Sequence, residues 1–398
     1  MPKYTPLAFE INLGTEGFVF EVGSLFEALL PLHDQRDARG LRYALVTLLV
    51  FVVLAKLAGE DWLRGIAQWV AERKESLAEF LNLAKPQAPH YTTYSRMLAR
   101  AVDVNEFEQV VGHFFASLPQ AGHSRELALD GKTLRGTIPL GQTRGVHLLA
   151  AYLPGEGLVL MQVEVDSHEN EIVAAPQVLK GLDLQGKIVT GDALLTQRKL
   201  AQQIVEAGGD YVFPVKDNQP HLLADIQTLF APEPCIQGFS PAPKDFRSAA
   251  TLEKGHGRLE RRTLMASRDL KGYVDWPYAE QVFRLEREFT RLNTGQVTQE
   301  VVYGVSSLTT SEADAARLLA ITRRHWGIES GLHYRRDVTL REDRSRVRTG
   351  QAPQVLAVIN NLVLGLLARL GYINAPQARR HFAAHLEEAV NLVLQALH

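Results

Sequence analysis

Short apolar segments between residues 126 and 215 limit the folds open to this 398-residue chain more than any other part of its sequence. Five of these segments have the composition of β-strands, and two have helical periodicity. In chain order they are strands at Glu126–Asp130, Val146–Leu153 and Leu158–Asp166, a helix at Ile172–Leu182, a strand at Lys187–Thr190, a helix at Thr196–Ala207 and a strand at Tyr211–Val215. Three consecutive strands followed by strand–helix–strand units predict an α/β fold, with a mixed sheet and helices on its faces.

The sequence on either side of this core predicts further domains. Helical patterns fill residues 1–120, which we interpret as an all-α N-terminal domain. Residues 121–231 form the sheet core, and four prolines between Pro232 and Pro243 open a β-rich insertion at 232–310. The strands predicted in the insertion are Arg258–Ala266, Gln281–Arg291 and Thr298–Ser307. Residues 311–398 are helical again, with predicted helices at Glu312–Glu329, Val355–Arg369 and Gln377–Leu397.

Composition excludes several classes of protein. With 46% hydrophobic and 22% charged residues the chain is not intrinsically disordered, and its single cysteine, Cys235, excludes an internal disulfide or a multi-cysteine zinc site. A lone cysteine also indicates a reducing compartment. The longest apolar run, Ala44–Ala55, has twelve residues, fewer than the roughly 20 of a membrane span. We therefore expect a cytoplasmic protein with no signal peptide and no membrane partner.

Two aspartates come at the ends of strands in the predicted sheet. Asp130 closes LALD before Gly131, and Asp192 follows KIVTG, so each carboxylate lies at the carboxyl end of a strand. Either aspartate alone is explained as an ordinary turn former after a strand. Two of them, on the first and fourth strands of one mixed sheet, favour a functional site at the rim of that sheet.

A third acid, Glu329, lies in a helical stretch of unusual charge, residues 323–348. The stretch holds eight arginines and four acids, although the whole chain has a net charge of −2. Arginine at this density suits a polyphosphate partner. The alternative is a solvated helix face on which the acids and arginines form salt bridges.

Three carboxylates on two strands and a facing helix have a direct chemical use. Oxygen ligands suit Mg²⁺ or Mn²⁺, and two such ions about 3.5–4 Å apart activate a water or a 3′-hydroxyl and stabilise the leaving oxygen of a phosphodiester. Two alternatives stay open. His325, Glu329 and His333 share a helical face at i, i+4 and i+8, as in a zinc site. A pair of carboxylates also serves glycoside hydrolysis.

Five blocks occur in order along the sequence. They are LALDGKTLRGT around residue 129, VTGDALLTQR (189–198), DYVFPVKDNQP (210–220), EKGHGRLERRT (253–263) and RRHWGIESGLHYRRDVTLREDRSRVRTG (323–350). Together they resemble insertion-sequence transposases of the H-repeat-associated type, a DDE branch of the RNase H-like superfamily. The resemblance implies an RNase H-like core in which Asp130, Asp192 and Glu329 form the DDE triad and hold two Mg²⁺ or Mn²⁺ ions.

Basic and polar side chains near these blocks are candidates for contacts with DNA phosphates. They are Lys132, Arg135, Lys216, Asn218, His256, Arg324, Arg335 and Arg336. The wider transposase group carries the signature Tyr-x2-Arg-x3-Glu-x6-Lys around the third acid. Here His325 precedes Glu329 by four residues, and Arg336 stands at the lysine position. The alternative for each basic residue is an ordinary solvated surface position.

The resemblance predicts an active transposase. Such a protein binds the terminal inverted repeats of its own element, cuts the DNA and joins the freed 3′-hydroxyl to target DNA. We expect a homodimer or larger assembly in a prokaryotic cytoplasm, associated with the nucleoid when bound to DNA. A catalytically silent DNA-binding descendant and a nuclease of the same fold are the alternatives. The presence of all three acids counts against the first, and a strand-transfer product would exclude the second.

Overall fold

The computed structural model describes residues 8–12, 17–37, 41–119, 122–166, 170–232, 244–255 and 257–397. Within these ranges the chain divides into two compact units, each assembled from separate segments. Residues up to 123, 131–168 and 329 onward form one, here called the helical unit. Residues 124–130 and 169–328 form the other, here called the sheet unit. The units cut across the four predicted segments, whose boundaries remain a prediction.

The regular elements are as follows. The strands are β1 (Ala8–Asn12), β2 (Gly17–Glu21), β3 (Glu126–Thr133), β4 (His147–Leu153), β5 (Leu158–Val165), β6 (Ile188–Thr190), β7 (Asp210–Val215), β8 (Arg247–Gly255), β9 (Arg258–Ser267), β10 (Gln281–Arg291) and β11 (Val297–Ser306). The helices are α1 (Leu25–Leu29), α2 (Leu45–Leu57), α3 (Leu63–Glu72), α4 (Lys74–Phe80), α5 (Tyr91–Arg100), α6 (Val104–Ser117), α7 (Glu171–Lys180), α8 (Arg198–Glu206), α9 (Pro220–Phe230), α10 (Ala315–His325), α11 (Ala352–Arg369), α12 (Ala375–Ala384) and α13 (Leu386–Leu394).

The helical unit is built around α2, which contains most of the apolar run Ala44–Ala55. Every residue of α2 is buried, including Lys56, because the helix is apolar on nearly all of its faces. It packs against α3, α11, α12 and α13. Burial lowers the pKa of the Lys56 ammonium to about 8, although the carboxylate of Asp61 acts against this shift. The predicted N-terminal helices thus form one core with helices from the end of the chain.

By length and composition, α11 is the one helix among the described residues that is apolar enough to cross a membrane. In this structure 89% of its apolar window is buried inside the protein. It packs against α5, α6 and β5 within the helical unit. This is the environment of a core helix, since its apolar surface is already covered by protein.

A nine-stranded sheet runs in the order β5-β4-β3-β6-β7-β11-β10-β9-β8. In it, β3, β6 and β7 are parallel neighbours, whereas β4 pairs antiparallel with β5 and β11 antiparallel with β7. The five strands predicted between residues 126 and 215 are thus confirmed. Their order, β5-β4-β3-β6-β7, is the mixed arrangement expected of the RNase H-like core.

The β-rich insertion extends this sheet. The three predicted strands are β9, β10 and β11, and β11 joins the core through a register in which Val305 faces Phe213. An additional strand, β8, pairs with β9 at the sheet edge. Its sequence, RSAATLEKG, gave no strand signal because most of its residues are small or charged and none of them is fully buried.

The helix α10 covers one face of the sheet unit. Its apolar residues Leu318, Leu319 and Ile321 are buried in a cluster with Leu264 and Phe283 of the insertion strands. Beyond Trp326 the chain stays helical, but residues Glu329–His333 and Arg335–Thr339 form the wider π turns. The carboxylate predicted at Glu329 therefore lies where the regular helix ends.

Two predicted helices are each divided in the structure. Asp61–Phe80 contains α3 and α4, which meet at Arg73, where the backbone leaves helical geometry (φ −116°, ψ 11°). Gln377–Leu397 contains α12 and α13, which meet at His385 (φ −125°, ψ 76°). Neither break is marked by glycine or proline, so the apolar periodicity alone did not reveal it.

Candidate active site

In the sheet unit, Asp130 lies within β3, which continues past its predicted end to Thr133, and Asp192 lies two residues beyond the neighbouring parallel strand β6. The register pairs Ala128 of β3 with Thr190 of β6. Asp130 comes two residues after Ala128, and Asp192 comes two residues after Thr190. Burial raises the pKa of the Asp192 carboxyl, and the nearby charges of Glu171 and Asp130 add to the shift. The structure thus brings two of the three predicted acids close enough for their negative charges to repel each other.

Asp192 also shapes the turn that follows β6. Its Oδ1 accepts a hydrogen bond from the backbone N–H of Leu195 at 3.1 Å, as an N-cap residue does. A Cβ at Gly191 would lie only 3.0 Å from the Leu195 side chain, so this approach favours glycine. The predicted Asp-after-glycine pattern therefore has a structural role as well as a proposed chemical one.

Side chains from the next loop hold this turn in place. Asn218 Nδ2 donates to the Ala193 carbonyl at 2.6 Å, and Gln219 Nε2 donates to the Thr196 carbonyl at 2.9 Å. Asn218 was predicted to contact DNA, and the structure shows that its amide nitrogen braces the turn behind Asp192. Lys216, two residues earlier, is exposed.

His325, near the end of α10, lies beside the same strands. Its Nδ1 is 3.0 Å from the hydroxyl oxygen of Thr190. Burial lowers the pKa of the imidazole, and the charge of Asp130 opposes this shift. Sequence reasoning noted His325 only in the zinc alternative and at the arginine position of the family signature. Its position four residues before Glu329, about one helical turn, is the sequence signal that could have placed His325 near the site.

The third predicted acid, Glu329, is exposed and belongs to the helical unit. It opens the π-helical segment Glu329–His333. The zinc alternative required His325, Glu329 and His333 to repeat at the spacing of a regular helix, and the π turns remove that spacing. His333 is also buried, at 5% exposure, whereas Glu329 is not.

Among the predicted phosphate contacts, Lys132 and Arg336 are buried in ion pairs of the helical unit. Lys132 Nζ lies 2.6 Å from Asp337. Arg336 has no exposed surface, and its Nε lies 2.8 Å from Glu342. Burial alone would raise the pKa of Glu342, but the Arg336 charge and the hydrogen bonds from Arg336 and Asn360 together outweigh it, and the pKa is lowered. Both cations therefore form ion pairs inside the protein rather than lying on its surface.

The other predicted contacts differ in exposure. Arg135 is 79% exposed, although its Nε lies 3.7 Å from Asp343. Arg335 is half-buried and donates to the Ile373 carbonyl at 3.0 Å. Arg324 pairs with Glu126 at 2.8 Å in the sheet unit. His256 lies outside the described residues.

Comparisons with known proteins agree on one family. Residues 122–366 match the family model described as "Transposase DDE domain", and residues 26–115 match the model described as "DDE_Tnp_1-associated". The "Putative transposase YncI" of Escherichia coli O157:H7 is 29% identical over 351 residues, which cover 87% of each chain. The "H repeat-associated putative transposase YhhI" of Escherichia coli K12 is 25% identical over 351 residues, 87% of this chain and 91% of that protein.

A solved structure with a similar trace is the piggyBac transposase synaptic complex with hairpin DNA. The match has a TM-score of 0.45 and 10% sequence identity, and it covers 96% of this chain and 82% of that one.

Proposed function

Because the chain belongs to the family of transposases with a DDE domain, we propose that it cuts DNA at the terminal inverted repeats of a mobile element and joins the freed 3′ end to target DNA. The observation that supports this best is the pair of carboxylates, Asp130 and Asp192, each two residues beyond the last parallel pair, Ala128 and Thr190, of β3 and β6. In a mixed sheet of this kind, ligand sites form at the carboxyl ends of the strands.

The two carboxylates fit divalent metal ions by their chemistry. Burial and like charge raise the pKa of Asp192, and a bound cation would relieve both effects. Asp130 and Asp192 would hold the metal, with Glu329 as the third carboxylate on the strength of the family motif. Two Mg²⁺ or Mn²⁺ ions, when bound, activate the attacking oxygen and stabilise the leaving oxygen of the phosphodiester.

The chain's own residues would align the DNA for in-line attack. The turn after β6 is fixed by its bonds to Asn218 and Gln219, so Asp192 enters the reaction in a set position. Exposed cations serve as phosphate contacts, and we propose Arg135 and Lys216 first, with Arg324, Arg335 and His256 as further candidates. We assign Lys132 and Arg336 to holding the segment that follows Glu329.

The proposal includes the assembly and its place in the cell. Transposition requires two ends of an element to be held together, so we propose a homodimer or larger complex on DNA. The site of action is the DNA of a prokaryotic cytoplasm. The silent DNA-binding descendant and the nuclease of the same fold remain as outcomes of the test below.

The test is cleavage of labelled DNA that carries the element's ends, in Mg²⁺ or Mn²⁺. Wild type is compared with Asp130→Asn, Asp192→Asn and Glu329→Gln, and Glu206→Gln, an exposed acid at the end of α8, is the matched control. We expect cutting and joining by wild type and control. We expect losses of at least about 100-fold in the three variants, as for removal of one stabilising group from an active site.

Each other outcome has a defined meaning. Binding of the ends without cutting by wild type would support the silent descendant, and cutting without joined products would support the nuclease. Cutting that survives all three substitutions would place the active site elsewhere. Asp192→Asn is preferred to Asp192→Ala, because asparagine caps the Leu195 turn equally well.

A further inference from the structure

A group of potential metal ligands lies in the helical unit, at the junction of α12 and α13. It consists of His381, His385 and Glu388, whose ligand atoms all lie within 4.8 Å of one another. His381 is half-buried, and the other two side chains are exposed. None of the three belongs to the proposed DDE site or to the basic residues proposed to contact DNA.

The break between the two helices creates this arrangement. His381 and His385 are four residues apart, and their rings stack with centroids 4.3 Å apart and an interplanar angle of 23°. The chain changes direction at His385, and the first turn of α13 then supplies Glu388. In a continuous helix, residue 388 would lie about two turns beyond residue 381 along one axis. Here Glu388 comes from a second helix, α13.

His385 is held in the tautomer that a metal requires. Its Nδ1 donates to the carbonyl oxygen of His381 at 2.8 Å, so the proton resides on Nδ1 and Nε2 carries the lone pair. A hydrogen bond from the second ring nitrogen to a backbone carbonyl is the usual support of a metal-binding histidine. It fixes both the tautomer and the direction of the ring.

His381 and Glu388 provide the other two donors. His381 Nε2 and Glu388 Oε2 are 2.7 Å apart, the distance of a short hydrogen bond or ion pair. A divalent cation placed against both atoms would take the place of the proton between them. Two imidazole nitrogens and one carboxylate oxygen are the ligands of a zinc-type site with open positions, and this donor set does not suit Mg²⁺.

We propose that His381, His385 and Glu388 bind a transition-metal ion of the Zn²⁺ class, separate from the ions of the DDE site. The ion would cross-link α12 to α13. On one side, α12 is anchored to α2 through Arg379, whose Nε donates to the Lys56 carbonyl at 2.9 Å. On the other, α13 packs on α1, α2 and β2. The metal would therefore fix the C-terminal helices on the core of the helical unit.

The test uses untagged full-length protein and Zn²⁺ as the titrant, with millimolar Mg²⁺ present. The Asp192→Asn background removes a proposed ligand of the other site. We expect one equivalent of Zn²⁺ to bind by calorimetry with a dissociation constant of about 1–10 µM, a strength appropriate to three partly exposed ligands. Co²⁺ in place of Zn²⁺ should give visible absorption bands of four- or five-coordinate geometry.

Two variants and one control distinguish this site from adventitious binding. His385→Ala and Glu388→Gln, both at exposed positions, should each weaken Zn²⁺ binding at least about tenfold, as loss of a ligand does. They should also abolish the rise in melting temperature that Zn²⁺ gives the parent protein. His221→Ala, an exposed histidine of the sheet unit, should change neither quantity. The proposal would be overturned if the parent protein showed no saturable Zn²⁺ binding, or if both ligand variants bound Zn²⁺ as tightly as the parent.

Discussion

Thr190 links the strand that leads to Asp192 with the helix that leads to Glu329. Its hydroxyl lies 3.0 Å from His325 Nδ1 and is itself buried. Burial disfavours the charged imidazole, so the neutral ring shares one hydrogen bond with the Thr190 hydroxyl through Nδ1, and this bond fixes the direction of its other nitrogen. The Asp130 charge acts on the same ring, so the hydroxyl orients a group next to a proposed metal ligand.

Thr190→Val should lower the rate of DNA cleavage about tenfold, because valine keeps the shape of the side chain but cannot hold the His325 ring. Thr190→Ser keeps the hydroxyl and should cleave at close to the wild-type rate. The measurement is the cleavage rate at saturating DNA across a Mn²⁺ titration. If the valine and serine variants behave alike, the hydrogen bond has no part in the reaction.

At the scale of elements, the sequence predicted the parts whose signal is local. The strands β9–β11 have strong β composition, and the Asp–Gly pair within β3 and the Gly–Asp pair after β6 drew attention to the site. The positions of Lys132 and Arg336 were not predictable. Each looks like a surface cation in the sequence, but Lys132 is buried against the distant acid Asp337, and Arg336 is buried between Glu342 and the distant Gln162.

The π-helical segment after Glu329 is held by such long-range contacts. Arg336 Nη1 donates to Gln162 of β5 at 2.8 Å, and Glu342, its ion-pair partner, accepts from Asn360 of α11 at 2.8 Å. The family signature has lysine at position 336, where a DNA contact was expected. Full burial of Arg336 instead indicates that it fastens the segment to the core of the helical unit.

Arg336→Met should therefore destabilise the helical unit by about 3–5 kcal/mol, because it leaves the Glu342 carboxylate buried without its cation. The double variant Arg336→Met/Glu342→Gln should recover part of this loss. Urea unfolding in the absence of DNA measures both. A residue that served only to contact DNA would leave the unfolding curve of the free protein unchanged.

At the scale of the whole molecule, one buried acid, Glu108, makes the free energy of unfolding depend on pH. Burial raises the pKa of Glu108 in α6 to about 8, although the charge of Arg336 and a hydrogen bond from Gln162 act in the opposite direction. Its ordinary value is 4.5. Between these two values the folded protein keeps a proton that the unfolded chain has released, so folding loses free energy as the pH rises through this window.

Glu108→Gln removes this proton uptake and keeps an oxygen that can accept from Gln162 Nε2, now 3.2 Å from Glu108. Relative to wild type, the variant should gain on the order of 2–4 kcal/mol in unfolding free energy between pH 5 and pH 8.5. Calorimetric melting at both pH values checks the difference, with Glu79→Gln, an exposed acid of α4, as the control. Parallel curves for Glu108→Gln and wild type would show that Glu108 is ionised in the folded state.

The burial of α2 among helices from the end of the chain has a consequence for biosynthesis. Almost three hundred residues separate the end of α2 from the start of α11, its later neighbour in the core. At about 5–20 residues per second on the ribosome, the apolar surface of α2 waits roughly 15–60 s for that partner. During this interval the nascent chain exposes a thirteen-residue apolar segment to which chaperones can bind. Yield of the intact protein should thus depend on the trigger-type and Hsp70-type holdases of the host more than on the strength of the finished core.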